Sequence, residues 1–437
     1  MSPFVRVVVV NFDGGDTTLR CLDALSNQSY ERSRREITLV DNGSIDGLVW
    51  KVPLCYPDVH LISLLNNEGF ARGNNLAMSD LSGVDVVALL NNDTIPEPTW
   101  LEELVAALEY DDSVGAVCSK MVFNKKVMGF EIDSNSKPIV IKNVQISDRS
   151  IIESVVFDER FTLKDHELSP SPERQILGIG SLWYEPTSEP PAFPTMLKVI
   201  VDAVEPCTVS VRTASGATRT SVERGISTLS VGIDSLSDVI NNAGGGVFPG
   251  LHGGDVGFKE VDFGQYEEPR EVFSFCGGAV GLRAEALKEV GLFDPSFFLY
   301  YEDMDLSWRM RYAGWKISYA PKSVVRHEHA FSSGEWTPFF RFWVDRNRRL
   351  TLVKNAPTPA AVNAVIGATV WAIRDSLVPI LSCTLRLHRP NFGAATYRLK
   401  QYGSFVKALP AAIKARRRQL KSSELKPNFV YSWISSR

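Results

Sequence analysis

The sequence predicts an α/β protein built on a doubly wound, mostly parallel sheet of the Rossmann-like kind. Two observations support this prediction. Through the first 125 residues, short runs of β-branched and aliphatic residues alternate with segments of helical spacing. Polar clusters follow these runs at Phe12-Asp13, Asp41-Asn42, Asn66-Asn67 and Asn91–Asp93. Ligands of such sheets bind beyond the carboxyl ends of the strands, so these clusters are candidate binding residues.

The first predicted strand, Val5–Val10, is hydrophobic except for Arg6, as expected of a parallel strand buried on both faces. The other elements follow in regular alternation. The predicted strands are 5–10, 37–40, 59–64, 84–90 and 114–117, and the predicted helices are 17–28, 73–81 and 100–108. Residues 1–125 are therefore expected to form one half of the α/β domain.

The pattern changes after about residue 123. Residues 126–265 contain short alternating β runs, such as Met196–Val204 and Thr208–Arg212, separated by turns rich in Pro and Gly. This pattern predicts an inserted, sandwich-like β-rich module. We expect it to act as a packing element or lid, and a carbohydrate-binding or partner-binding module is the alternative. The α/β pattern resumes over 266–355, and 356–437 is helical in pattern.

Composition limits the classes of protein to consider. A chain of 437 residues predicts two or three domains. Its six cysteines include no CxxC pair and no Cys/His cluster, so we expect reduced thiols and a cytoplasmic protein. The N-terminus leads directly into a strand, without the basic and apolar regions of a signal peptide.

The C-terminal region is basic. Between Ser376 and Ser423 there are ten Lys or Arg and no Asp or Glu. Apolar stretches interleave these charges, which favours an anionic membrane surface or lipid phosphate over nucleic acid as the partner. Residues 360–383 are apolar but are interrupted by Arg374, Asp375 and Pro379, so we expect an interfacial or packed helix instead of a membrane span. These features predict peripheral association with the inner face of the plasma membrane.

Asn91-Asn92-Asp93 follows the fourth predicted strand and is a candidate metal site. Mg²⁺ and Mn²⁺ prefer carboxylate oxygens and usually take only one or two from the protein. Asp93 could fill that role at the end of a strand. These residue types are also common in turns, so the cluster alone leaves both interpretations open.

Glu302, Asp303 and Asp305 lie together at the start of a predicted helix. A carboxylate there could remove the proton of an attacking hydroxyl group. Acidic residues also favour helix starts because of the helix dipole, so capping is the alternative. Aromatic neighbours, including Tyr300 and Tyr301, would perturb the pKa values of crowded carboxylates.

Two further groups could assist such a site. His327 and His329 follow a predicted strand, and a neutral imidazole could complete a metal site with Asp93. A surface or hydrogen-bonded histidine is the alternative. Arg72 lies in a loop flanked by Gly69 and Gly73 at the start of a helix, which suits a phosphate group.

Taken together, seven ordered stretches resemble the family 2 glycosyltransferases, which have the GT-A fold, and especially their bacterial rhamnosyltransferase-like branch. They cover roughly residues 4–125 and 265–355. The stretches are 8–12 (VVVNF), 40–44 (VDNGS), 67–75 (NEGFARGNN), 89–93 (LLNND), 275–279 (FCGGA), 301–306 (YEDMDL) and 326–329 (RHEH).

The resemblance implies a role for each candidate residue. Residues 1–125 would bind a nucleotide-sugar and 266–355 would hold the acceptor and catalytic groups. Asp303 would be the general base, with Glu302 orienting it or the acceptor, and Asp93 and His327 would bind Mn²⁺ or Mg²⁺. The residues implied in binding the nucleotide-sugar are Asn11, Phe12, Asp41, Arg72, Asn91, Asn92, Gly277 and Gly278. Asn91 replaces the first Asp of the family's Asp-x-Asp motif, which weakens the metal site by one charge.

The implied reaction is an inverting transfer of a sugar, with rhamnose suggested by the branch, to a lipid-linked or polysaccharide acceptor in cell-envelope glycan synthesis. A nucleotidyltransferase of similar fold is one alternative. It would call for more phosphate-binding Lys and Arg near the first strand. A catalytically silent sugar-binding or scaffold protein is the other. The sequence leaves the oligomeric state open.

Overall fold

The structure is a computed structural model that describes residues 2–146, 148–163, 174–186, 193–328, 337–385, 392–423 and 425–434. Contacts within the chain divide it into two compact units. The first unit comprises Met1–Ser119, Gly244–Gly254 and Pro269–Ser436, and the second comprises Lys120–Ala243 and Asp255–Glu268. The second unit begins at Lys120 instead of at the predicted residue 126. The strand there runs on to Phe123 with every residue buried, so no turn signal marks the boundary in the sequence.

The N-terminal part of the chain alternates strands and helices. In chain order they are β1 (Val5–Asn11), α1 (Asp16–Ser26), β2 (Arg35–Asp41), α2 (Leu48–Cys55), β3 (Val59–Ser63), α3 (Phe70–Ala77), β4 (Val86–Asn91), β5 (Thr94–Pro96), α4 (Trp100–Glu109) and β6 (Val114–Phe123). Helix α3 starts at Phe70, earlier than predicted. Gly69 has a φ of 84°, outside the helical region, and its Cβ would lie 2.3 Å from the carbonyl oxygen of Phe298, so only glycine fits before this helix.

Strand β1 lies at the centre of a parallel group. It pairs in parallel with β2 on one side and with β4 on the other. Val5, Val7, Val8 and Val9 have no exposed surface, because neighbouring elements cover both faces of the strand. The register places Asn11 opposite Asp41, and it places Val10 opposite Asn91. The polar residues that end these strands therefore lie at one edge of the sheet.

In its described residues, the second unit is built on nine antiparallel strands around β7. Its strands are β7 (Met128–Ile146), β8 (Arg149–Ser150), β9 (Val155–Phe157), β10 (Thr162–Leu163), β11 (Arg174–Tyr184), β12 (Thr195–Ala203), β13 (Cys207–Thr213), β14 (Gly216–Val222) and β15 (Gly225–Ile233). The long strand β7 pairs with β11 on one side and with β12 and β13 on the other. Alternate residues of β12, including Leu197, Val199 and Val201, point into one apolar cluster.

The remaining elements return mainly to the first unit. They are β16 (Ile240–Asn242), β17 (Gly245–Phe248), β18 (His252–Asp255), β19 (Arg270–Glu271), β20 (Ala279–Arg283), α5 (Ala284–Val290), α6 (Glu302–Tyr312), β21 (Lys316–His327), α7 (Pro338–Asn355), α8 (Thr358–Leu385) and α9 (Phe392–Ser422). Among the described helices, none combines the length and apolarity that crossing a bilayer requires.

The main sheet confirms the α/β class and corrects one detail of it. Its strand order is β19-β21-β6-β20-β4-β1-β2-β3. Strands β4, β1, β2 and β3 form a parallel group, whereas β20 and β19 join the sheet through antiparallel pairs, so the sheet is mixed where the sequence predicted a mostly parallel one. The physical reason is strand β20, which inserts between β4 and β6 and runs antiparallel to both.

Helix α6 is attached to helix α7 by a buried carboxylate. Asp305 has no exposed surface, and its oxygens accept hydrogen bonds from Lys354 Nζ at 2.8 Å and Asn355 Nδ2 at 2.9 Å. Arg309, one turn later on α6, donates to it at 3.1 Å. Burial raises the pKa of the Asp305 carboxyl, but Lys354 and Arg309 outweigh burial and hold the pKa below its usual range.

We predict that Lys354→Met destabilises the protein by about 3–5 kcal/mol at neutral pH, because it leaves a buried carboxylate without its main counter-charge. A carboxyl with a lowered pKa contributes stability above its unfolded pKa of about 4 and loses it as pH falls. The deficit of the variant should therefore shrink below about pH 4. Urea unfolding across pH measures this.

The matched control is Lys316→Met, which removes a lysine from an exposed ion pair with Asp111. It should cost no more than about 1 kcal/mol. Equal losses in the two variants would show that the buried pair has no special role in stability.

Candidate active site

Asn11, at the end of β1, joins three elements through its side-chain amide. Its Oδ1 accepts hydrogen bonds from the Thr18 hydroxyl at 2.8 Å and from Asn92 Nδ2 at 3.1 Å. Its Nδ2 donates to Asp41 Oδ1 at 3.0 Å and to Ser44 Oγ at 2.9 Å. Asn11 has no exposed surface, so it orients Asp41 and Asn92 and offers little open surface to a ligand.

The residues after Asn11 form a tight loop with one open aromatic side chain. Phe12 is 42% exposed, so its ring is available for stacking. Asp13 has a φ of 51°, and its carboxylate accepts from the backbone N–H of Ile45 at 2.8 Å. A Cβ on Gly14 would lie 2.2 Å from Asn92 Nδ2, so the loop can approach Asn92 only because residue 14 is glycine.

Asp46 and Thr18 belong to the same network, and sequence reasoning missed both. Asp46 Oδ2 accepts from Asn11 Nδ2 at 3.2 Å and from the backbone N–H of Gly15 at 3.0 Å. Asn92 Nδ2, which also donates to Asn11, donates a second hydrogen bond to the hydroxyl oxygen of Thr18 at 2.9 Å. The signal for Asp46 was its place in the polar run after β2. Thr18 gave no signal, because it lies within a helix.

Asn42 organises the loop that leads into α3. Its Nδ2 donates to Asn67 Oδ1 at 3.0 Å, and its Oδ1 accepts from the backbone N–H of Glu68 at 2.9 Å. Arg72 lies on the exposed side of this loop and pairs with Glu68 at 2.9 Å. Exposed ion pairs of this kind are weak, so Arg72 can exchange Glu68 for an anionic ligand at small cost.

Asp93 and His327 meet where β5 pairs with β21. Asp93 Oδ1 and His327 Nε2 are 3.1 Å apart, and both side chains are largely buried. The backbone N–H of Glu328 donates to the Asp93 carbonyl oxygen at 2.8 Å, which keeps the two chain segments together. His329 lies outside the described residues. Asn92 turns into the Asn11 network, away from the pair formed by Asp93 and His327.

This pair suits a divalent cation. A carboxylate oxygen and an imidazole nitrogen are both ligands of Mn²⁺, and such sites often take only one or two ligands from the protein. Within the described part of the chain, no third His, Cys, Asp or Glu completes a cluster. Remaining ligands would then come from water or from the phosphates of a bound nucleotide.

Asp303 lies in the first turn of α6 and is held by backbone donors. Its Oδ2 accepts from Gly277 N–H at 3.1 Å and its Oδ1 from Met304 N–H at 2.7 Å. Glu302 is 4% exposed, and its Oε2 has no hydrogen-bond partner among the residues that the structure describes. Burial raises the pKa of Glu302 well above its usual value, and Asp303 raises it further. Burial also raises the pKa of Asp303, although the backbone N–H groups oppose the shift.

The backbone before α6 is strained. Tyr300 and Tyr301 have φ angles of 69° and 70°, a conformation that costs a bulky residue on the order of 1–3 kcal/mol. Asn347, on α7, stabilises it by donating to the carbonyl oxygens of Leu299 at 2.9 Å and Tyr300 at 2.8 Å. The sequence carried no signal for Asn347, which lies in a helix far along the chain.

A short chain of contacts links the two halves of the site. The backbone N–H of Asn91 donates to the Gly278 carbonyl oxygen at 2.9 Å, and Gly277 donates to Asp303. A Cβ on Gly277 would lie 3.2 Å from the ring of Phe70, so this backbone is closely packed. The end of β4 and the carboxylate of Asp303 are therefore neighbours, as α/β ligand sites require.

Two family models match the chain. The model for glycosyl transferase family 2 matches residues 6–158, and that for glycosyl transferase family group 2 matches residues 252–398. Together they cover more than half of the sequence. They include every candidate residue described above for the site.

Curated relatives are more distant. Glycosyltransferase AglE of Haloferax volcanii is 28% identical over 24% of this chain and 36% of its own length. The N-acetylglucosaminyl-diphospho-decaprenol L-rhamnosyltransferase of Mycobacterium tuberculosis is 40% identical over 15% of this chain and 21% of its own length. The chain thus spans about a third or less of these relatives.

Among solved structures, GalNAc-T7 with UDP, GalNAc and Mn²⁺ is 12% identical, with a TM-score of 0.47, over 94% of this chain and 57% of that chain.

We predict that Glu302→Gln stabilises the protein increasingly as pH rises. When folding raises the pKa of an acid, the free energy of unfolding falls as pH rises. The fall extends from the pKa of the acid in the unfolded protein, about 4.3, to its pKa in the folded protein. Gln removes this cost and keeps the shape of the neutral acid. Thermal unfolding of both proteins across that pH range measures the effect.

Glu223→Gln, at an exposed position, is the control and should give no such gain. A constant difference between Glu302→Gln and the parent protein at all pH values would contradict a raised pKa at Glu302.

Proposed function

Since this chain belongs to the family 2 glycosyltransferases, we propose that it transfers a sugar from a nucleotide-diphosphate-sugar to an acceptor hydroxyl, with inversion at the anomeric carbon. The observation that carries the proposal is the carboxylate of Asp303. Two backbone N–H groups hold it, and it lies next to the end of β4 through Gly277 and Gly278.

In this reaction the acceptor oxygen attacks the anomeric carbon while its proton passes to Asp303. The bond from the anomeric carbon to the diphosphate breaks, and its electron pair leaves with the diphosphate. The raised pKa of Asp303 makes its carboxylate a stronger base than an ordinary aspartate. Glu302, buried in the same turn of α6, would orient Asp303 or the acceptor.

The donor would bind at the edge where β1, β2 and β4 end. The exposed ring of Phe12 suits stacking against a nucleobase. Asp41, oriented by Asn11, suits the ribose hydroxyls, and Arg72 suits the diphosphate. Asn91, Gly277 and Gly278 would line the donor site on the side of Asp303, and Asn92 would line it beside Asn11.

Asp93 and His327 would hold Mn²⁺ or Mg²⁺, which when bound would offset the negative charge that develops on the leaving diphosphate. Asn91, a neutral residue at the start of this segment, adds no charge to the site. The bound nucleotide would therefore supply the remaining oxygen ligands.

We further propose that the sugar is rhamnose and that the acceptor is a lipid-linked or polysaccharide glycan of the cell envelope. The rhamnosyltransferase relative, whose name includes a diphospho-decaprenol carrier, supports this choice. The basic C-terminal region suits peripheral association with the inner face of the plasma membrane.

We predict that Asp303→Asn lowers the rate of transfer by about a hundredfold or more, because the general base is lost. Donor binding, measured by calorimetry, should survive. In the parent protein the rate should fall as pH drops through the raised pKa of Asp303, since only the ionised carboxylate can accept the proton.

Asp112→Asn, at an exposed position, is the control and should leave transfer unchanged. Persistent transfer by Asp303→Asn would exclude Asp303 as the base. Donor binding without transfer by the parent protein, over a range of acceptors, would favour a silent sugar-binding protein.

The resemblance to rhamnosyltransferases suggests a thymidine diphosphate donor. We therefore predict that binding of nucleoside diphosphates needs a divalent cation and is tightest for dTDP. Calorimetry with dTDP, UDP and GDP in Mn²⁺ should show that EDTA, or Asp93→Ala, weakens binding by about tenfold or more, since one charge-assisted ligand is removed.

EDTA should have no further effect on Asp93→Ala. Undiminished binding of the parent protein in EDTA would rule out the metal role of Asp93. A clear preference for UDP or GDP would rule out a thymidine diphosphate donor and, with it, the main support for rhamnose.

A further inference from the structure

A small cavity lies between helices α7, α8 and α9, away from the residues of the candidate active site. It is lined by side chains from all three helices, among them Arg346, Arg349, Trp371, Arg398, Gln401 and Tyr402. Three guanidinium groups around one cavity form an unusual cluster, because like charges repel at short range. The cluster therefore points to an anionic ligand.

Among the residues that the structure describes, neither Arg346 nor Arg349 forms a direct ion pair, and the carboxylates that act on them, Asp294 on Arg346 and Asp345 and Asp375 on Arg349, do so from a longer distance. Arg346 is 6% exposed, and it donates to Ser404 Oγ at 3.1 Å and to the Ser296 carbonyl oxygen at 2.8 Å. Arg349 makes no hydrogen bond or ion pair with any residue that the structure describes. Burial lowers the pKa of Arg346 to about 10 and also lowers that of Arg349. Burying a guanidinium without a directly paired counter-charge is costly, and a bound anion would reduce that cost.

The nearby acids are already paired. The carboxylate of Asp345 lies 3.3 Å from the guanidinium group of Arg398. The carboxylate of Asp375 lies 3.5 Å from the guanidinium group of Arg398 and 2.9 Å from that of Arg374. With Arg349, these residues leave the cavity with an excess of positive charge. The two carboxylates orient Arg398 and Arg374 and do not neutralise the whole cluster.

Trp371 holds the cluster in place. The guanidinium groups of Arg374, Arg349 and Arg398 lie 5.1, 5.4 and 5.9 Å from the centre of its ring. Such cation–π contacts fix the planar groups without using their N–H donors. Arg374 and Arg398 already donate to carboxylates, whereas Arg349 keeps its donors for the oxygens of a phosphate group.

The surface of α9 beside this cavity has a repeat of seven residues. Four exposed apolar residues recur at this spacing, and each is followed by an exposed lysine. The pairs are Leu399-Lys400, Val406-Lys407, Ile413-Lys414 and Leu420-Lys421. Apolar residues flanked by lysines are typical of helices that lie in the interface of an anionic membrane. The repeat begins directly after Arg398, which lines the cavity.

The positive charge of α9 also argues against binding of a second copy of this chain to its exposed surface. Residues 376–423 contain no Asp or Glu, so two such surfaces would bring lysines against lysines. An anionic bilayer instead supplies both the apolar phase and the negative charge that the repeat needs.

We propose that the cavity lined by Arg346, Arg349 and Arg398 binds the phosphate group of a membrane lipid. The repeat of exposed apolar residues and lysines on α9, here called the α9 repeat, lies on the surrounding bilayer. This inference deepens the membrane association proposed above. It does not depend on the donor, on the metal or on Asp303. If it failed, the tests of donor binding, metal binding and catalysis by Asp303 would keep their meaning.

The test is binding to phosphatidylcholine vesicles that contain either phosphatidate, with its exposed phosphate monoester, or phosphatidylglycerol at equal surface charge. The parent protein should prefer phosphatidate. Arg349→Gln should reduce phosphatidate binding by about tenfold, because a charge-assisted contact with the phosphate is lost. Arg349→Lys, which keeps the charge but loses the planar fork, should also lose the preference.

Lys414→Gln is the matched control, since it removes the same charge from the α9 repeat at a distance from the cavity. It should weaken binding to both kinds of vesicle alike, by about fivefold. Equal losses for Arg349→Gln and Lys414→Gln with both lipids would overturn the cavity as a phosphate site, as would unchanged binding in both Arg349 variants.

Calorimetric titration with inorganic pyrophosphate distinguishes a lipid phosphate from a free anion as the ligand of the cavity. Weak binding of pyrophosphate that is lost in Arg349→Gln, together with vesicle binding, supports the proposal. Tight pyrophosphate binding through Arg349 without vesicle binding would overturn it in favour of a free anion. Ile413→Gln should weaken vesicle binding and leave pyrophosphate binding unchanged, and an equal loss for both probes would contradict the role of the repeat.

Discussion

The buried carboxylate of Asp305 is the interaction on which the arrangement of the candidate active site depends. Lys354 and Asn355 bind it from α7, and Arg309 binds it from within α6. These bonds fix where α6 begins. Glu302 and Asp303 occupy the first turn of that helix, so a stabilising contact at Asp305 determines where the two candidate catalytic acids lie.

Three neighbouring acids in this turn therefore have opposite environments. Asp305 meets two cations, which lower its pKa despite complete burial. Glu302 and Asp303 meet no such cation in the described part of the chain, and burial raises their pKa values. A structural carboxylate and a candidate base thus lie two residues apart because of what each faces. The strained tyrosines before α6 persist because Asn347 holds their carbonyl groups.

The opposite side of the site is organised by a neutral residue. Asn11 uses both ends of its amide to connect the strand ends of β1 and β2 with Asn92. It does so with almost no exposed surface, which makes it a positioning residue in the proposed donor site. Exposed groups such as Phe12 and Arg72 would contact the donor directly in the function proposed above. The C-terminal helices divide their roles similarly, with a buried face that packs and an exposed basic face.

The sequence by itself determined the α/β class, the first strand-helix alternation and the polar residues at strand ends, because these depend on local periodicity and on residues that favour strand ends and turns. It also singled out Asp93 and Asp303. Only the tertiary structure decided that β20 enters between β4 and β6 and makes the sheet mixed. Only the tertiary structure likewise identified the contacts of Thr18, Asn347 and Lys354, and those of the arginines around Trp371. Their partners lie on other elements, so no local pattern in the sequence could have revealed them.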